Sequence, residues 1–112
     1  MSAVSLTVTV LGTGTMGQGI AQVTAQSGHT TRIYDSADGK AKAAIQAIGA
    51  QLEKLVGKGK ITGDARHQTM SRLSAATSPT DAAAGADVII EAVPEKMDLK
   101  IEVLRPLLPS NR

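Results

Sequence analysis

Gly12, Gly14 and Gly17 stand at the spacing G-x-G-x-x-G in the run Gly12-Thr13-Gly14-Thr15-Met16-Gly17-Gln18-Gly19-Ile20-Ala21. The residues before them, Leu6 to Leu11, read as a short β-branched strand, and those after them open an apolar helix. Glycines placed between a strand and a helix can hold phosphate. Gly12 allows the sharp reversal out of the strand, Gly14 lacks a Cβ that would keep an anion off the backbone, and Gly17, with Gly19, lets the helix lie close to the sheet. The helix start, at Thr15 and Met16, aims unpaired N–H groups and the positive end of its dipole at the anion. A second strand-like segment, Thr30 to Tyr34, ends at Asp35. An acid at the tip of the second strand, about 20 residues beyond the glycines, is where the ribose hydroxyls of NAD are held. Eleven glycines in one chain can produce the spacing by chance, so the plain alternative is a glycine-rich helix cap and a surface Asp. The strand–turn–helix context weighs against it.

Other reactive side chains are sparse. His29 lies in the turn after the first helix and His67 in a polar segment, and neither has a positioned partner that would make it a general base. No metal-ligand spacing and no nucleophile–base pair stands out. Glu91, inside an apolar strand, reads either as a pocket-facing carboxylate or as a satisfied strand-end acid. Lys58 and Lys60 follow a long helix, where cations answer the negative end of the dipole.

The elements that must position these residues alternate. After the first strand a helix is expected over Thr15–Ser27, with Met16, Ile20 and Val23 at helical spacing and Gly28 as its terminating residue. Ser36 or Asp38 can cap a long helix carrying the stripe Ile45, Ile48, Leu52, Leu55 and Val56, which Gly57-Lys58-Gly59-Lys60 stops. A short polar helix begins at Gly63, Leu73–Thr77 is a weak third strand, and Pro79 sits at the start of a short helix through Ala84 that Gly85 closes. Asp87–Ala92 is a buried strand from which Val93-Pro94 departs. A last helix is expected from Glu95 or Lys96, with Met97, Ile101, Leu104 and Leu108 on one face and Pro106 and Pro109 ending it. Strands alternating with helices, without hairpin dipeptides, imply an α/β fold: a Rossmann-type parallel sheet with helices on both faces, in the order 3-2-1-4 and truncated after about four strands. The fourth strand would then carry a bare edge, and that edge and the last helix would seek a second copy of the chain.

Composition narrows the function further. The 112 residues suffice for one small domain but not for a nicotinamide domain plus a substrate domain. Net charge is only +2 and Tyr34 is the sole aromatic residue, which argues against a nucleic-acid surface built on stacking. The absence of cysteine removes disulfides and thiolate metal sites and fits a reducing cytoplasm. No apolar run reaches membrane-spanning length, and no basic segment precedes an apolar one at the N-terminus.

The glycine turn, Asp35, the run Leu55-Val-Gly-Lys-Gly-Lys60, and Ala86-Asp-Val-Ile-Ile-Glu-Ala-Val-Pro-Glu95 followed by Lys100 together resemble the 3-hydroxyacyl-CoA dehydrogenase family. The resemblance is to the N-terminal half of its NAD-binding domain, in 3-hydroxybutyryl-CoA dehydrogenases and phenylacetate-pathway members, and it covers nearly the whole chain. It implies that Gly12, Gly14, Thr15, Met16 and Gly17 hold the pyrophosphate of NAD and that Asp35 holds the adenosine ribose. It also implies that Ala92 and Val93 give backbone contacts at the mouth of the fourth strand, and that Glu95 and Lys100 lie near the nicotinamide end. Lys58 matches a basic position that contacts coenzyme A, while the hydroxyl-bearing position upstream is Gln51 here.

The family's catalytic His–Glu pair, with its Ser and Asn, belongs to motifs that follow the fourth strand and have no counterpart in these residues. The expectation is therefore a partial NAD-binding domain over residues 1–112, without the substrate and dimerisation domain, which binds NAD and does not itself catalyse. A free-standing NAD-binding or interaction module, or a different hydroxy-acid dehydrogenase, are the alternatives.

Overall fold

The computed structural model describes residues 5–93 and 98–104. Among the described residues five strands form one sheet: β1 (Thr7–Leu11), β2 (Thr30–Tyr34), β3 (Leu73–Ala75), β4 (Val88–Val93) and β5 (Asp98–Val103), in the spatial order β3-β2-β1-β4-β5. β1 runs parallel to β2 and to β4, β2 runs parallel to β3, and β5 alone is antiparallel, to β4. The helices are α1 (Thr15–Gln26), α2 (Lys40–Gly57), α3 (Gly63–Ser71) and α4 (Pro79–Ala83). The expected doubly covered α/β sheet and the order 3-2-1-4 are both present.

Alternation along the central strands assigns their two faces. Val8 and Val10 of β1 and Ile33 of β2 turn to one side and form the core with Ala21, Ala25, Ala41, Ala44, Ile48, Leu52 and Leu73. Each fully buried Ile, Leu or Val there contributes about 1.5–3 kcal/mol. On the opposite face Thr9 donates its hydroxyl to the Ala82 carbonyl of α4, and Arg32 donates to the carbonyls of Asp81, Ala82 and Ala84. A five-residue helix covers little apolar area, so two β-strand side chains fasten its last turn instead.

The face that α1 turns to the sheet differs from the expected stripe. Gly17, Ala21 and Ala25, four residues apart, are buried, whereas Val23 is 61% exposed. Small residues let the helix axis approach the sheet, and the bulkier Met16 and Ile20 lie along its margins, half-buried. α1 ends as expected: Gly28 has φ +100°, its N–H donates to the Ala25 carbonyl, and the His29 N–H donates to that of Thr24. The start of α2 is corrected, since neither Ser36 nor Asp38 caps it. Gly39, at φ +79°, is the N-cap and no side chain accepts there. α3 covers the polar segment 63–71 as expected, with the Thr62 hydroxyl accepting the Ala65 N–H at 3.0 Å.

The largest departure is beyond β4. Residues 98–103 form a strand, not part of a helix, and pair with β4 from Val88↔Val103 to Val93↔Asp98. The apolar residues Ile101 and Leu104 satisfy a helical spacing, but Leu99, Ile101 and Val103 equally satisfy a period of two. The open edge of β4 supplies the partner that decides between them. The fourth strand is therefore not bare; β5 covers it and becomes the outer strand at this side of the sheet. Met97, Leu108, Pro106 and Pro109 of the expected helix lie outside the described residues.

Candidate functional site

The parallel strands β1, β2 and β4 end together on one side of the sheet, where the strand order reverses on either side of β1. That reversal opens a crevice of about 320 Å³ lined by Leu11, Gly12, Tyr34, Asp35, Ser36, Pro79, Glu91 and Ala92. A second hollow of about 460 Å³ lies on the other side of Asp35 and includes Asp38, Gly39, Lys42 and Ala75–Thr77. Asp35 stands on the ridge between the two.

The turn is built so that no side chain fits inside it. Gly12 has φ +112°, and a Cβ there would stand 2.7 Å from the Ala92 carbonyl oxygen. A Cβ on Gly17 would stand 2.3 Å from the carbonyl oxygen of Gly12. Strand β1 therefore folds against the head of α1 and the tip of β4 only because both positions are glycine. The Gly12 N–H donates to the Tyr34 carbonyl at 2.9 Å, which ties the turn to the end of β2. Gly14 is the N-cap of α1, no side chain caps the helix, and no acidic residue occupies its first turn. Thr15 is exposed and Met16 half-buried in that turn. The N-terminal N–H groups of α1 are thus left for an anion.

Asp35 is held in place by the chain itself. Its Oδ1 accepts the Ala37 N–H at 2.8 Å and its Oδ2 accepts the Thr13 hydroxyl at 2.8 Å. The Ala37 N–H is the main reason its pKa lies below the usual carboxylate value; the Thr13 hydroxyl and the charge of Lys40 act the same way, against partial burial. A carboxylate offers about four lone-pair sites. These bonds, with a weaker one from the Thr13 N–H, leave part of that capacity open on the crevice side. Gln18 donates its side-chain amide to the Thr13 carbonyl at 2.9 Å, bracing the turn from the helix. Thr13 was not among the residues singled out from sequence, although the register Leu11↔Tyr34 sets the residues after β1 beside those after β2.

The remaining candidate residues are dispersed. Ala92 lines the crevice, and its carbonyl faces Gly12. Val93 is the last residue of β4, while Glu95 lies outside the described residues. Lys100 is exposed in the middle of β5, opposite Glu91 of β4, rather than on a helix. Lys58 is the exposed C-cap of α2. The N-terminal end of α2 lies beside Asp35, so Lys58 is a helix length of about 27 Å further along. Gln51 lines a separate cleft of about 520 Å³ between α1 and α2, with Thr15, Gln18 and Ala47. Among the described residues no cluster of His, Asp or Glu could hold a metal ion, and no helix is long and apolar enough to cross a membrane.

Comparison with known proteins agrees with this geometry. Residues 7–110 match the family model described as 3-hydroxyacyl-CoA dehydrogenase, NAD binding domain. Over 94 residues the chain is 42% identical to the 3-hydroxyadipyl-CoA dehydrogenase of Escherichia coli K12, a match that covers 84% of this chain and 20% of that protein. Over 107 residues it is 34% identical to a 3-hydroxybutyryl-CoA dehydrogenase of Bradyrhizobium diazoefficiens, covering 96% of this chain and 36% of the relative. The crystal structure of a 3-hydroxybutyryl-CoA dehydrogenase from Escherichia coli K12 superposes with a TM-score of 0.74 at 40% identity, over 80% of this chain and 19% of that one. The chain thus spans between about a fifth and about a third of the length of these relatives. A glycine turn closed to side chains, an acid poised at the tip of β2 and a family model that spans nearly every residue lead to one assignment: the chain belongs to the 3-hydroxyacyl-CoA dehydrogenase family, within its NAD-binding domain, and its cofactor is NAD.

Proposed function

We propose that NAD lies across the ends of β1, β2 and β4, with its pyrophosphate on Gly12, Gly14, Thr15, Met16 and Gly17 and its adenosine ribose on Asp35. The observation that carries this reading is the crevice itself. It is floored by Gly12 and Ala92, walled by Asp35, and too close for a Cβ at Gly12. Ala92 and Val93 would contribute backbone groups at the mouth of β4. Glu95 and Lys100 would serve the nicotinamide end, on the family pattern alone. In the same way Lys58 would meet coenzyme A at the end of α2.

The proposed reaction of the whole protein is hydride transfer between the 3-hydroxyl carbon of an acyl-CoA and NAD. The chemistry that NAD supplies when bound is acceptance of that hydride; the residues of this chain bind and orient. On this reading residues 1–112 form part of the NAD-binding domain and do not catalyse by themselves. The names of its relatives, 3-hydroxyadipyl-CoA and 3-hydroxybutyryl-CoA dehydrogenase, favour short-chain or dicarboxylic acyl-CoA substrates. A place in fatty-acid or phenylacetate breakdown, in the cytoplasm, belongs to this reading on the family resemblance alone.

Self-association fits the outer strand. Ile101 and Val103 of β5 are 57% and 52% exposed. A second β5 laid antiparallel about Ile101 would bring Lys100 opposite Glu102 twice and Ile101 opposite itself. Light scattering should then find a dimer that Ile101→Lys dissolves; a monomeric native chain would remove this part of the proposal.

Calorimetric titration tests the cofactor assignment. NAD should bind more tightly than NADP, because the Asp35 carboxylate repels a 2′-phosphate. Equal affinities, or a preference for NADP, would contradict the ribose assignment.

A further inference from the structure

The hydroxyl of Thr13 makes a bond beside the crevice, to Asp35, that the glycine motif does not require, since the second position of G-x-G is open to any residue. Its Oγ1 donates to Asp35 Oδ2 at 2.8 Å, while its carbonyl accepts the Gln18 side chain at 2.9 Å. One residue therefore joins the pyrophosphate turn, the first turn of α1 and the acid of β2. Without its hydroxyl, Asp35 would keep the Ala37 N–H on Oδ1 and a weaker backbone N–H bond from Thr13, but Oδ2 would lose its 2.8 Å side-chain donor. The carboxylate would then be held less firmly, and its ribose-facing lone pairs would be less well fixed. We propose that Thr13 is a positioning residue that sets the choice of NAD over NADP, by holding the Asp35 carboxylate in the plane that receives the ribose hydroxyls and opposes a 2′-phosphate.

This rests on the placement of the ribose at Asp35, so the test separates the two. NAD and NADP are titrated calorimetrically into the full chain and into Thr13→Val, Thr13→Ser and Asp35→Asn, with thermal melts of each. Valine keeps the shape of threonine and removes the hydroxyl; serine keeps the hydroxyl. Thr13→Val should weaken NAD about fivefold and narrow the NAD-to-NADP preference by about threefold, at a melting temperature close to that of the native chain, since a hydrogen bond to a charged group is at stake. Thr13→Ser should restore both. If Asp35→Asn loses NAD affinity and Thr13→Val does not, the positioning role is refuted and the ribose assignment stands. If Asp35→Asn also binds NAD as the native chain does, both are refuted. Should Thr13→Val lose affinity for both cofactors equally, with Thr13→Ser no better, the residue supports the turn alone and the proposal is overturned.

Discussion

Asp35 and Asp87 sit at opposite ends of the same sheet and do opposite work. Asp87, at the N-terminal end of β4, is 1% exposed. Its Oδ2 accepts the Thr7 N–H at 2.8 Å, its own N–H donates to the Thr7 carbonyl, and its carbonyl accepts the Leu104 N–H. Nearby, His29 Nδ1 accepts the Leu6 N–H at 3.1 Å, which joins the lead into β1 to the start of β2. At that end polar side chains complete backbone groups that the strands leave over. Asp35 also accepts donors from Ala37 and Thr13, but it stands open to the crevice. The difference shows how one fold separates its polar groups: buried ones fasten strands at one end, and at the other a half-exposed carboxylate, braced by the turn, faces the crevice.

Substitutions at the two ends should therefore separate stability from binding. Gly17→Ala carries the largest expected effect, because its Cβ would collide with backbone rather than with a movable side chain. We expect a loss of about 3 kcal/mol or more of stability, together with loss of NAD binding, by denaturant unfolding and calorimetry. Asp87→Ala should cost about 2–3 kcal/mol, because the Thr7 N–H loses its buried acceptor, while the folded fraction binds NAD as before. Asp35→Asn should do the reverse, weakening NAD at least about tenfold while costing about 1 kcal/mol of stability, less than Asp87→Ala. Should Asp87→Ala abolish binding without unfolding the chain, the division of labour between the two ends fails.

A smaller effect concerns pH. The pKa of Asp35 is lower in the folded chain than its ordinary value of 3.8, chiefly through the Ala37 N–H. The stability it contributes is then fully present above that ordinary value and is lost as pH falls through the lower folded value. NAD affinity should accordingly stay level from pH 8 down to pH 5, as calorimetry at stepped pH can establish. A decline centred above pH 5 would show that a different group controls binding.

What the sequence made legible follows the same division. The strand–turn–helix around Gly12, the acid at Asp35, and the helix end at Gly28 are dictated by sterics local to a few residues, and each stands where expected. Burial was harder to read, because the face of α1 is chosen by how closely a helix can approach a sheet. Closeness favoured Gly17, Ala21 and Ala25 over the larger Met16, Ile20 and Val23. β5 was missed because its residues suit two periodicities and the choice depends on a neighbour far back in the chain. Within the site, the glycines and Asp35 were visible, while Thr13 was not, since its bond exists only once β1 and β2 lie in register.

The most direct test of where NAD sits is an amide-resolved NMR titration of the full chain with NAD. Resonances of Gly12 to Gly17, Asp35 and Ala37 should move together and saturate, while those of Leu6, His29 and Asp87 stay in place. Movement confined to the α1–α2 cleft or to β5, with the glycine turn unmoved, would contradict the account.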